Sequence, residues 1–147
     1  MKNKFLIGTI VVLVIFNAIT MKWSIEKKVN LMYNEDELTE LLQEVHPANV
    51  LVDLRDREDY ELGHIDGFIN IPSNDGVELL EYLEKNKLER KAIFLMCYSG
   101  KRAAAAVDLL QERGYRYLTY ITFGYNEYAN SQENFVPAQG ECDCLAD

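Results

Sequence analysis

The chain has only three cysteines and two histidines among its 147 residues. Three thiols cannot close into a fully paired disulfide framework, which favours a compartment where thiols stay reduced. Two histidines, His46 and His64, both beside residues that ligate no metal, make a zinc site a poor fit. Positive charge is scarce: 15 Lys and Arg against 24 Asp and Glu leave a formal net charge of -9. A surface that acidic repels phosphate backbones, so nucleic acid is excluded as a partner. There is no internal repeat and no low-complexity tract. With 48% hydrophobic residues the chain is not a disordered one, and its length suits one domain with a short appendage.

The charge is divided unevenly. Residues 1–30 carry Lys2, Lys4, Lys22, Lys27 and Lys28 against Glu26, a balance of +4. The other 117 residues hold ten basic and 23 acidic side chains, hence -13. Residues 5–21 bear no charge at all. As a helix this run spans roughly 26 Å, a little less than a bilayer core. No polar face interrupts it, which argues against a core helix. A cleaved signal peptide and an uncleaved anchor both fit the basic start and apolar stretch. The cut site is poor, since Ala18-Ile19-Thr20 ends on Thr, and Trp23 suits a membrane interface. The reading adopted is a single-pass N-terminal anchor over residues 1–21, with secretion after cleavage as the alternative. Similar lysine counts on both sides leave its orientation open.

Residues 22–30 read as a tether or a first short strand, 31–139 as the domain, and 140–147 as a polar tail. Asn34 to Glu37 has the form of a capping box opening a helix to about Val45, with Leu38, Leu41, Leu42 and Val45 on one face. His46-Pro47 stops it, His46 having no evident partner. Residues 50–54 form a buried-strand pattern, 58–62 a short helix ended by Gly63, and 69–71 a strand stopped by Pro72. A helix over 76–86 places Val77, Leu80 and Leu83 in phase. Residues 92–96 are a continuous apolar strand, 97–101 a compact loop and 102–113 an alanine-rich helix closed by Gly114. A strand at 117–122, a turn at Gly124 and a helix over 125–130 follow. Strands alternating with helices make a parallel α/β sheet with helices on both faces.

Cys97 carries the chemistry. It follows a buried strand and precedes a helix, which places it at the carboxyl edge of the sheet, where open α/β folds bind ligands. The backbone N–H groups of the loop and helix N-terminus form an anion-binding nest, and Gly100 permits the tight turn. Lys101 and Arg102 add positive charge. Together these groups favour a thiolate and attract a small oxyanion. The competing reading, a buried apolar cysteine, is weakened by the Ser-Gly-Lys-Arg that follows so closely.

The run Cys97-Tyr98-Ser99-Gly100-Lys101-Arg102 resembles the active-site loop of single-domain rhodaneses. The segment from Val52-Asp53-Leu54-Arg55 through Gly63-His64-Ile65 to Asn70-Ile71-Pro72 is similar to that family's other signature. The match covers about residues 33–137. It implies a five-stranded parallel sheet flanked by helices and sulfane-sulfur transfer through a Cys97 persulfide, from a small anionic donor such as thiosulfate to cyanide or to a thiol or protein acceptor. Tyr98, Ser99, Gly100, Lys101 and Arg102 would bind substrate, with Asp53, Arg55 and His64 as structural support. No metal or organic cofactor is implied. Two departures stand out. Many rhodanese loops have Arg after the cysteine, where Tyr98 supplies no cation, and the family's C-terminal tryptophan has Tyr128 as its nearest counterpart.

Asp53 as a catalytic acid is the weaker alternative to a structural carboxylate paired with Arg55. Cys142 and Cys144 form a C-x-C pair in the tail that is a candidate sulfur relay, a chance metal ligand, or neither. Two other functions compete: a cysteine phosphatase or arsenate reductase, for which the four residues between Cys97 and Arg102 make a ring one residue too small, and a membrane-tethered binding module without catalysis.

Overall fold

The computed structural model describes residues 29–141. The apolar run at 5–21, Cys142 and Cys144 lie outside them. Among the described residues no helix is long and apolar enough to cross a membrane, and the anchor expected over 1–21 is not part of that set.

Five parallel strands form one sheet in the order β1-β5-β4-β2-β3. They are β1 (Val29–Met32), β2 (Asn49–Asp53), β3 (Ile69–Asn70), β4 (Ala92–Cys97) and β5 (Leu118–Gly124). The helices between and after them are α1 (Glu35–Gln43), α2 (Arg57–Leu62), α3 (Val77–Lys85), α4 (Lys101–Glu112) and α5 (Tyr125–Ser131). β1 begins at Val29, so the first strand takes in the last two residues of the stretch read as a tether or strand.

The period-two alternation of the strands divides the core into two layers. On β4, Ile93, Leu95 and Cys97 face one layer, closed by Leu79, Leu80 and Leu83 of α3 and by Ala103, Ala106, Val107 and Leu110 of α4. Phe94 and Met96 face the other, closed by Leu38 of α1 and Tyr128 of α5. The alanines of α4 keep that helix close to the sheet. Each fully buried leucine contributes about 2 kcal/mol by removal from water.

Some boundaries differ from those expected. α1 ends at Gln43, two residues early, so Val45 is 42% exposed instead of completing the apolar face. Asn34 does cap α1, its side chain accepting from the Asp36 N–H at 2.8 Å. Val77 is the first residue of α3 and 44% exposed, while Leu79, Leu80 and Leu83 do the packing. A first-turn residue there points past the sheet, and Leu79 lies on the inward face. β5 starts at Leu118, with Tyr117 exposed, and runs on through Gly124, which ends the strand and leads directly into α5. His46 has a partner after all: its Nδ1 accepts from the Ala48 N–H at 3.0 Å within its own turn.

The strand order fixes the site. The connection after β2 leads outward to β3, and the connection after β4 leads the other way to β5. The carboxyl ends of β2 and β4 therefore flank a topological switch point, where the departing chains leave a crevice. Asp53 ends β2 there and Cys97 ends β4.

Candidate active site

Cys97 is a free thiol, 1% exposed, on the last residue of β4. Between Leu95 and Cys97 the pairing with β5 shifts register, and Cys97 lies opposite Gly124. The close approach there requires glycine. A Cβ on Gly124 would lie 1.7 Å from the Tyr98 carbonyl oxygen and 2.4 Å from its carbon. The Gly124 N–H donates to the Glu127 carboxylate of α5 at 2.6 Å.

The chain then turns at Gly100, in the left-handed region at φ 78°, and enters α4. Any larger residue would be strained in that conformation and would also meet the Tyr120 hydroxyl at 2.6 Å and the Thr122 carbonyl at 2.8 Å. No side chain caps α4, and its ladder starts with the Ala104 N–H donating to the Gly100 carbonyl at 2.9 Å. The first amides of the helix thus have no intrahelical acceptor. They and the positive end of the helix dipole are the groups available there to cradle an anion.

The side chains around the cradle are braced more than the sequence indicated. Lys101 is exposed on the first residue of α4. Arg102 donates to the Leu54 carbonyl at 3.1 Å and to Asp56 at 2.9 Å, and its guanidinium lies 4.9 Å from the centre of the Tyr98 ring. That hydrogen bond to Asp56 is the main cause of a raised Arg102 pKa, with the Cys97 sulfur a lesser contributor. Asp56 is held below the usual carboxylate range, first by Arg102 and then by Tyr98. Tyr98 turns its hydroxyl away from the cradle, onto Asp56 at 3.1 Å and onto Asp59. Burial, followed by the bond to Asp59, pushes its pKa up to about 12, so it is a neutral donor. Tyr120 is also raised, first by burial and then by its electrostatic interaction with Cys97.

Behind the loop, Asp53 is fully buried and clamps Arg55. Its carboxylate accepts from the Arg55 Nε at 2.9 Å and from Nη2 at 2.8 Å. The same Nη2 donates to the Gly63 carbonyl at 2.9 Å, and the guanidinium stacks 3.8 Å from the centre of the Tyr125 ring. Asn70 donates to the carbonyls of Asp53 and Arg55 at 3.1 and 2.9 Å. These bonds satisfy a buried ion pair that would otherwise be costly. Asp53 has no position from which to act as an acid on Cys97: both its oxygens are committed to Arg55. His64 is buried, stacked on Tyr60 at 3.8 Å, with its Nδ1 2.9 Å from the Tyr60 carbonyl. Tyr128 is buried against Phe135, edge to face.

Residues 34–131 match the model of the rhodanese-like domain. The chain belongs to that family. Solved rhodanese-like domains share its fold: one from Anabaena sp. superposes with a TM-score of 0.60 at 20% identity, covering 80% of this chain and 91% of its own. One from Staphylococcus aureus gives 0.56 at 20% identity, covering 76% and 99%. Among curated proteins, the tRNA uridine(34) hydroxylase of Erwinia tasmaniensis is 32% identical over 98 residues, 63% of this chain and 27% of that protein. The Bacillus subtilis protein YrkF, a candidate sulfur carrier, is 25% identical over 83 residues, 56% of this chain and 43% of that one. This rhodanese-like chain spans about a quarter of the hydroxylase's length and under half of YrkF's.

Sequence reading brought Cys97, Gly100 and Arg102 to one loop but missed Asp56, Asp59, Tyr120 and Tyr125. They lie 23 to 41 positions from the cysteine and belong to other parts of the chain, so no local spacing marks them. The one available signal was the carboxylate next to Arg55, at the switch point.

Proposed function

We propose that the protein is a rhodanese-type sulfurtransferase that carries sulfane sulfur as a persulfide on Cys97. The observation that carries this reading is the position of a free cysteine at the end of β4, before an uncapped helix N-terminus. The Cys97 thiolate attacks the outer sulfur of thiosulfate or another sulfane donor. A new S–S bond forms, the old one breaks, and the leaving group (sulfite, from thiosulfate) departs with the electron pair. The anionic outer sulfur then rests against the amides at the start of α4. An acceptor thiolate or cyanide attacks that sulfur, and Cys97 leaves as thiolate. No general base is required by a thiol that enters ionised. The candidate sulfur-carrier role of YrkF is in keeping with this chemistry.

Residues 5–21 would tether the domain to a membrane, and Cys142 and Cys144 in the tail are candidates to receive the sulfur. Thiocyanate release from thiosulfate or an organic persulfide in the presence of cyanide tests the activity. It is expected from the wild type and lost in Cys97→Ser. Fractionation of cells expressing the full chain tests the tether, which a soluble chain would refute.

A further inference from the structure

Tyr120 has no part in the steps above, yet it lies beside the loop that carries them. In β5 it pairs with Leu95 of β4, and it packs against the core layer that holds Leu95 and Cys97. Its ring and the Cys97 side chain therefore share one face of the sheet. Its hydroxyl ends against Gly100: a Cβ on that glycine would lie 2.6 Å from the hydroxyl oxygen and 3.2 Å from the ring edge. Gly100 is where the loop turns into α4, so the hydroxyl reaches the same end of the helix as the uncapped amides. The missing side chain at Gly100 gives it room. Among the described residues the Tyr120 hydroxyl makes no hydrogen bond, the Cys97 sulfur included, although the two groups interact electrostatically. Burial keeps this half-buried phenol neutral, so it is a donor with no acceptor.

We infer that Tyr120 is a further binding residue for the transferred sulfur, its hydroxyl donating a hydrogen bond to the anionic outer sulfur of the Cys97 persulfide. The inference rests on the sulfurtransferase reading above. In the loading step the Cys97 thiolate forms a bond to the outer sulfur of the donor, the donor's S–S bond breaks, and its leaving group departs with the electron pair; no oxidant or reductant is needed. Tyr120 keeps its proton throughout. The new sulfur stands one S–S bond, about 2 Å, beyond Sγ and against the amides at the start of α4, where the hydroxyl also ends. A hydrogen bond to a charged group is stronger than one between neutral partners, and this one exists only in the loaded state. The hydroxyl thus stabilises the persulfide and leaves the free thiol as it is.

The test equilibrates the full chain with fixed ratios of thiosulfate to sulfite, and of an organic persulfide to its thiol, and reads by intact mass the fraction carrying one added sulfur. Tyr120→Phe removes the hydroxyl alone and breaks no hydrogen bond among the described residues, so the fold should hold. Its loading equilibrium constant should fall about tenfold, the scale of one hydrogen bond to a charged group. The rate at which iodoacetamide alkylates its unloaded Cys97 should match the wild type. Tyr115→Phe is the control. It removes the hydroxyl of a buried tyrosine that has no hydrogen-bond partner and whose charged neighbours are Glu89 and Glu84, and it should load as the wild type does. An unchanged loading constant in Tyr120→Phe, an equal fall in Tyr115→Phe, or a matching fall in the alkylation rate would overturn the assignment and leave the sulfurtransferase reading standing. A wild type that loads from neither donor would overturn both.

Discussion

Replacing Gly124 by alanine adds one methyl group at the point where β5 passes the Cys97 loop. The φ of Gly124 is -103°, extended backbone that any residue adopts, so the change introduces no conformational strain. What it introduces is a Cβ 1.7 Å from the Tyr98 carbonyl oxygen, where 3.0 Å is the practical limit. The loop or β5 must therefore move by about 1 Å, and the obstructing atoms are backbone, not the free end of a side chain. The upper part of the range for overpacking applies, about 3 kcal/mol. At about 4 °C per kcal/mol in a domain of this size, the melting temperature should fall by about 12 °C. A displacement of that size at the nucleophile should slow persulfide formation by about 100-fold even in the folded fraction. Gly114→Ala is the matched control. Its φ is +93° with no atom within 4 Å of the added Cβ, so it brings strain without collision. It should cost about 1 kcal/mol and leave the loading rate unchanged. Thermal melts and single-turnover loading of both variants separate the two effects. A Gly124→Ala protein that melts within about 3 °C of wild type and loads at the wild-type rate would refute the packing argument.

Three further outcomes are expected. Asp53→Ala leaves Arg55 buried without its counter-ion and should destabilise the fold by about 3–5 kcal/mol in urea titration; a loss below about 1 kcal/mol would contradict the clamp. Replacing both partners by apolar residues should cost less than the two single changes added together. Tyr98 has a folded-state pKa of about 12 against an ordinary 10.0, so its contribution to stability is complete below pH 10 and is lost as pH rises toward about 12. Tyr98→Phe should flatten that part of the stability–pH curve, and an unchanged slope would show the hydroxyl to be uncoupled from Asp59. Leu38→Ala, at a fully buried position of α1, should lower stability by about 3 kcal/mol without altering the rate of persulfide loading in the folded fraction, checked by urea titration and single-turnover loading.

What could be read from the sequence was local. The apolar run of β4, the short loop and the alanine-rich helix identify themselves, because each is a continuous pattern with one physical cause. Val45 and Val77 misled because each extends an apolar periodicity past the point where the backbone still supports it: α1 has already ended at Gln43, and Val77 sits at the edge of α3's first turn. Gly124 was legible as a glycine near a turn, yet its reason for being glycine is the carbonyl of Tyr98, which only the pairing of β4 with β5 brings near. The acidic residues at the site were hidden for the same reason. Asp56 and Asp59 stand in no pattern that links them to Cys97 until the β2–β4 crevice brings Tyr98 and Arg102 against them. In an acidic chain the uncapped amides at the start of α4 are thus the groups left to attract an anion, while Arg102 is already paired with Asp56.

The central claim is that Cys97 is the sulfur-carrying nucleophile. Intact-mass analysis of the full chain after exposure to thiosulfate or an organic persulfide tests it most directly. The wild type should gain the mass of one sulfur atom, reversible with cyanide, and Cys97→Ser should gain none. No gain on the wild type, or an equal gain on Cys97→Ser, would contradict the account.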